Sequence, residues 1–154
     1  MKSLIVYDSK HGNTEKIANM IMNGMKEGGA AGTVAKRGDQ CTADDFKGVD
    51  VWVFGSPVHI GGPTGDAKKA LRAAIGTGAS GKKGTAFDTR FASAKGGKGA
   101  AEKMSEKMAE AGMKIVAEPQ WFIVEKTKGP LAAGEEDRAK AMGKKIAEAL
   151  QELT

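Results

Sequence analysis

Two apolar periods alternate along the chain. Short, nearly continuous runs of β-branched and aromatic residues read as strands covered on both faces, and stretches with apolar residues three and four apart read as helices. Ser3 to Tyr7 is the first such run, and Ile17, Ala18, Ile21 and Met25 predict a helix from about Asn13 to Lys26, ended by Gly28-Gly29. A weak strand, Thr33-Val34-Ala35, follows, then a short helix from Thr42 to Phe46, where Thr42 and Asp45 have capping-box spacing. Val49 to Gly55 is almost wholly apolar and predicts a central strand. Thr64 to Ile75 predicts a helix with Ala67, Ala70, Leu71, Ala74 and Ile75 inward, and Thr85-Ala86-Phe87 a short fourth strand. Asp88 to Gly99 reads as irregular, leading into a helix through Ala101, Met104, Met108 and Ala111. Lys114 to Ala117 and Gln120 to Val124 read as two halves of a last strand, parted by Pro119, which has no N–H for a ladder. Ala139, Met142, Ile146, Leu150 and Leu153 place the last helix over about Glu135 to Leu153.

Strands alternating with helices imply a parallel sheet built by right-handed crossovers. Five such units suit the strand order 2-1-3-4-5 in an α/β, three-layer αβα sandwich. Ligands in such sheets gather at the carboxyl ends of the strands near the switch point, here between strands one and three. Three loops meet there: Ser9 to Thr14, Ser56 to Pro63, and Asp88 to Gly99.

Composition narrows this picture. The length of 154 residues, 40% of them hydrophobic, suits one domain spanning 1–154. A strand begins almost at the first residue and no apolar run nears ~18 residues, so a soluble, cytoplasmic protein is expected, with no membrane role. One cysteine, Cys41, excludes an intrachain disulfide, a Cys-x-x-Cys pair and a cysteine-rich metal site, so any redox chemistry must sit on a cofactor. The net charge is 24 − 19, or +5, but lysines are interspersed with glutamates along the helices and aromatics are few. That pattern reads as solvated helix faces and not as a nucleic-acid surface.

The first loop carries the sharpest signal. Ile5-Val6-Tyr7-Asp8-Ser9-Lys10-His11-Gly12-Asn13-Thr14 runs from strand through loop to helix N-terminus. Such a loop turns free backbone N–H groups and the positive end of a helix dipole toward one small volume, which suits a phosphate. The Ser9 and Thr14 hydroxyls and the Asn13 amide can add neutral donors. At these residues the chain resembles the flavodoxins: Ile5-Val6-Tyr7, Ser9, Gly12, Thr14, Ala18 and Ile21 fill every place of that family's opening signature. Gly129-Pro130-Leu131, Gly134-Glu135 and Arg138-Ala139 are similar to the approach to the last helix in short flavodoxin-like chains.

The resemblance implies FMN, with the phosphate on Ser9, Lys10, His11, Gly12, Asn13 and Thr14. It places the second loop, Ser56, Pro57, Val58, His59, Ile60 and Gly61, along one side of the isoalloxazine ring, and a peptide flip at Gly61 and Gly62. His59 with Ile60 covers the inner ring face, or is a loop histidine with no ligand role. The third loop, Asp88, Thr89, Arg90 and Phe91 with Gly96 and Gly97, would meet the pyrimidine edge. Phe91 either stacks on the outer ring face or packs under the loop. Lys95 to Gly99 would be mobile or would close over the site. The function implied is a single-electron carrier between redox partner proteins, a monomer with a dimer left open, rather than an enzyme. An FMN-dependent NAD(P)H:quinone reductase or a heme-pathway oxidase is the alternative. Flavodoxins are typically acidic, so this basic chain is expected to meet acidic docking faces. Arg90, His59 and the lysines near Gly97 are expected to make the second reduction step less negative in potential.

Gly76-Thr77-Gly78-Ala79-Ser80-Gly81 satisfies a dinucleotide-binding pattern, and Gly81-Lys82-Lys83 nearly a P-loop, but both follow a helix and precede a strand, the reverse of the required order. A phospho-acceptor domain would need paired acids after the first strand and an aspartate ending the third, which Tyr7-Asp8-Ser9 and Phe54-Gly55-Ser56 lack. Trp52 and Trp121 lie within strands and read as core.

Overall fold

The computed structural model describes residues 1–94 and 96–153. Its strands are β1 (Ser3–Tyr7), β2 (Thr33–Arg37), β3 (Val51–Pro57), β4 (Lys83–Phe91), β5 (Lys114–Ile115) and β6 (Gln120–Val124). The helices are α1 (Asn13–Glu27), α2 (Ala43–Phe46), α3 (Gly65–Gly76), α4 (Ala100–Glu110) and α5 (Glu135–Glu152). The sheet runs β2-β1-β3-β4-β5, and β6 also pairs with β4; every pairing is parallel. β5 meets the start of β4 at Lys83 and Gly84, and β6 meets its end from Phe87 to Phe91. The last position of the 2-1-3-4-5 order is thus one broken strand, with Pro119 in the break.

The period of two along each strand sorts the core into two layers. Ile5, Val51 and Val53 face α1 and α5 through Ile17, Ile21, Met142 and Ile146. Leu4, Val6, Trp52 and Phe54 face α3 and α4 through Leu71, Ala74, Met104 and Met108. α1 and α5 cross closely because Gly24 and Gly143 meet there: a Cβ on Gly143 would run into the Ile21 carbonyl, and one on Gly24 into that of Lys140. The capping box on α2 is present, with Thr42 N–H donating to Asp45 Oδ2 at 2.7 Å. Among the described residues no helix is long and apolar enough to cross a membrane.

Two expectations change. β4 is nine residues long, so Asp88 to Phe91 are strand, followed by a 3-10 turn at Ala92–Ala94. Aspartate and arginine are poor strand signals, but here β3 and β6 hydrogen-bond the end of β4 from both sides. At the C-terminus Leu153 lies past the end of α5 and is 40% exposed, so the apolar stripe stops at Leu150.

Candidate functional site

At the carboxyl end of the sheet, β1 gives way to Asp8–Gly12 and α1. Gly12 has φ +90, a left-handed conformation that a side chain would strain, and it caps α1. The Ser9 hydroxyl oxygen accepts from the N–H groups of Gly12 (3.1 Å) and Glu15 (3.3 Å), leaving its O–H free to donate. The Asn13 and Thr14 N–H groups begin the helix, where the first helical bond runs from Lys16 to Gly12, so neither has an intrahelical acceptor. Thr14 Oγ1 and Thr89 Oγ1 are 2.8 Å apart; one hydrogen bridges them and the other hydroxyl hydrogen remains to be donated.

These groups open into a cleft of about 500 Å³, within the range of ~300–1,000 Å³ usual for cofactor sites. Ser9, Lys10, His11, Asn13 and Thr14 line it, with Pro57, Val58 and His59 on one side and Thr89 and Phe91 on another. No carboxylate lines the cleft among the described residues, whereas Lys10, Arg90 and Lys126 do. Phe91 is 45% exposed, so its ring is presented at the mouth and is not packed beneath the loop.

Several residues expected at the cofactor serve the cleft from behind. The Ser56 side chain is fully buried: its hydroxyl donates to Pro57 O (2.8 Å) and accepts from Thr64 N–H (3.0 Å). Thr64 Oγ1 then donates to Asp8 Oδ2 at 2.5 Å, tying the first loop to the second. Asp88 is also fully buried; its carboxylate takes Arg90 Nε at 2.8 Å and Ala101 N–H at 2.8 Å. Arg90 reaches on to Glu102 (2.8 Å) and to the carbonyls of Gly97 (2.9 Å) and Ala94 (3.4 Å), with its guanidinium 5.1 Å over the half-buried Trp121 ring. Burial pushes the Asp88 carboxyl above its usual range, against the pull of Arg90 and Ala101. Burial pushes Glu102 the same way, but the Gly99 N–H and Arg90 outweigh it and hold Glu102 below its usual range.

The expected electrostatic role of Arg90 therefore needs correction. Asp88 and Glu102 compensate its charge, and Lys98 is taken by Glu106 at 2.5 Å. Lys10 and Lys126 are the cations that remain at the cleft. Gly96 and Gly97 do not line it; the Gly97 carbonyl is an acceptor for Arg90. Lys95, expected to move or close over the site, lies outside the described residues.

The second loop also differs in detail. His59 and Gly62 exchange N–H···O bonds of 2.7 and 3.1 Å, which makes Ile60-Gly61 the central pair of a tight turn, with φ +48 and +75. Ile60 is 93% exposed and lines a separate groove instead of the cleft, and Gly61 lines neither. The central peptide of this turn is Ile60–Gly61, one residue before Gly61–Gly62.

Sequence reasoning missed Asp8, Thr64 and the end of β6 with the segment after it, where Val124, Lys126 and Thr127 close one wall of the cleft. This segment was findable, since it leaves the same carboxyl edge of the sheet. It is anchored by Glu135, whose carboxylate accepts from Ile123 N–H (2.6 Å) and from Arg138 (2.7 Å), while the Arg138 guanidinium lies 4.9 Å over the Phe122 ring. Gly134 caps α5 in the left-handed conformation, which explains the Gly-Glu order at that point. Cys41 stands apart as a half-buried thiol pushed up to about 11 by burial, so it keeps its proton at neutral pH.

An amide-lined turn with hydroxyls able to donate, two lysines and no carboxylate among the described lining residues fits a phosphate, and the neighbouring loops leave room for a ring system against Val58, His59 and Phe91. The comparisons agree with this architecture. A flavodoxin from the domain Archaea superposes with a TM-score of 0.81 at 23% identity, covering 98% of this chain and 99% of that one. Two-electron reduced Megasphaera elsdenii flavodoxin gives 0.74 at 22%, over 95% and 98%. Rubredoxin oxygen:oxidoreductase from Desulfovibrio gigas gives 0.79 at 22%, over 98% of this chain but 36% of that larger protein. Comparison with the curated proteins finds no match. The Flavodoxin family model matches residues 5–150, and the chain belongs to the flavodoxin family.

Proposed function

We propose that the chain binds FMN in this cleft and carries single electrons between redox partner proteins in the cytoplasm. The observation that carries the reading is the pairing of Asn13 and Thr14 N–H groups that have no intrahelical acceptor with a cleft that no carboxylate lines among the described residues. A phosphate there gains charge-assisted hydrogen bonds and the favourable end of the α1 dipole, and among the described residues no acidic side chain lines the cleft beside it. Family membership supports the same cofactor.

Bound FMN supplies one-electron redox chemistry; the chain supplies position and field. Ser9, Asn13 and Thr14 hold the phosphate, Val58 and His59 flank one side of the ring, and Phe91 covers the mouth. The Asp88–Arg90–Glu102 cluster holds Ala94 and Gly97 by their carbonyls. Lys10 and Lys126 favour negative charge on the reduced cofactor, the physical basis for a less negative second potential.

Stepwise dithionite reduction of the FMN-saturated protein tests the carrier reading by visible spectroscopy. Accumulation of one-electron-reduced flavin is expected. Direct passage to the two-electron level, with NAD(P)H turnover by the protein alone, would replace it with the reductase reading.

A further inference from the structure

Beside the cleft, α3 and α4 bound a groove of about 900 Å³ that no part of the electron-carrier reading uses. His59 lines both cavities, so the groove opens beside the ring site. α3 presents Lys68 and Arg72 to it, and α4 presents Lys103 and Lys107, each pair at i, i+4 on one helix face. Lys107 is 3.7 Å from Glu110, and Glu106 is occupied by Lys98. Lys68, Arg72 and Lys103 have no anionic partner within 4 Å among the described residues. Glu106 and Glu110 also line the groove, so its four cations leave a net positive lining. Between the charges it is apolar, with Leu71 and Met104 buried at its floor, Ile75 half-buried, and the carbon stems of the long side chains along its sides.

Ile60 lines the groove next to His59, the residue that lines both cavities. A β-branched residue at φ +48 is conformationally disfavoured, and a side chain 93% exposed gains nothing from solvent. Both penalties are offset if the side chain is covered by something that docks. We propose that this groove receives an acidic amphipathic segment of the redox partner, its apolar face on Leu71, Ile75 and Ile60 and its carboxylates on Lys68, Arg72 and Lys103. This rests on the electron-carrier reading and adds to it where, and with what chemistry, the partner binds. A second copy of this chain is a poor occupant, because its net charge of +5 would meet a groove rimmed by cations.

The test uses ¹⁵N-labelled, FMN-saturated protein titrated with a synthetic helical peptide of about 18 residues, glutamates on one face and leucines on the other. A peptide of the same composition with no apolar face is the control. Saturable shifts are expected in α3, α4 and His59–Gly62, absent with the control and weakened by salt. The variant Lys68→Glu/Arg72→Glu/Lys103→Glu should bind the peptide about tenfold more weakly or worse, with FMN affinity unchanged. Shifts elsewhere, equal binding of the control, an unaffected triple variant, or peptide-independent shifts from self-association would each overturn the groove assignment. A chain that takes no FMN yet binds the peptide in the groove would instead overturn the carrier reading alone.

Discussion

Replacing Arg90 with leucine leaves the fully buried Asp88 carboxylate with one remaining donor, the Ala101 N–H at 2.8 Å. Removing one partner of a buried pair costs about 3–5 kcal/mol, because the surviving charge stays desolvated. The Gly97 and Ala94 carbonyls lose a donor as well, which adds to that loss. At roughly 2–4 °C per kcal/mol for a chain of this size, Tm should fall by about 6–20 °C. Equilibrium urea unfolding followed by circular dichroism, without added flavin so that ligand binding does not contribute, reads the free energy directly. The pH dependence is diagnostic. A carboxyl raised above its unfolded value destabilises when ionised, so the deficit should shrink as pH falls and Asp88 takes up a proton. Asp88→Asn placed in the Arg90→Leu background should recover part of the loss. A deficit below about 1 kcal/mol, or one flat in pH, would refute the claim that this pair is a buried, mutually dependent unit.

Two further predictions read the packing. Tyr7, the sole tyrosine, is pushed up to about 12 by burial and by donating its O–H to Glu15 at 2.6 Å, so its 295 nm absorbance should rise with a midpoint near 12 and not 10. Since the folded phenol keeps its proton longer than the unfolded one, stability should fall as pH rises from about 10 to 12; a midpoint at 10 would contradict the buried geometry. Gly143→Ala should destabilise by about 1–3 kcal/mol, because its Cβ would meet backbone at Ile21 and Met25; an unchanged Tm would show that α1 and α5 can separate freely.

The parts of this molecule legible in its sequence are those where local pattern and final environment agree. β1, the Gly12 turn and α1 could be read because the apolar run, the turn residues and the helical spacing occur in the order in which they act. The end of β4 was not, since Asp88 and Arg90 look like loop residues until Glu102, some 12 residues on, enters as their third partner. Ser56 looked like a ligand for the same reason in reverse: only the fold shows that Thr64 occupies its hydroxyl. Ile60 carries no sequence signal for a left-handed backbone, which here comes from the paired His59–Gly62 bonds. The wall formed by Lys126 and Thr127 depends on β6 lying beside β4, a contact made across more than thirty positions of chain.

Comparing FMN with riboflavin by isothermal titration isolates the phosphate, the one group the amide-lined turn is built to hold. FMN should bind at one per chain, and riboflavin at least about 100-fold more weakly, the equivalent of two charge-assisted hydrogen bonds. Equal affinities, or no uptake of either flavin, would contradict the assignment of the Ser9–Thr14 turn as a phosphate site.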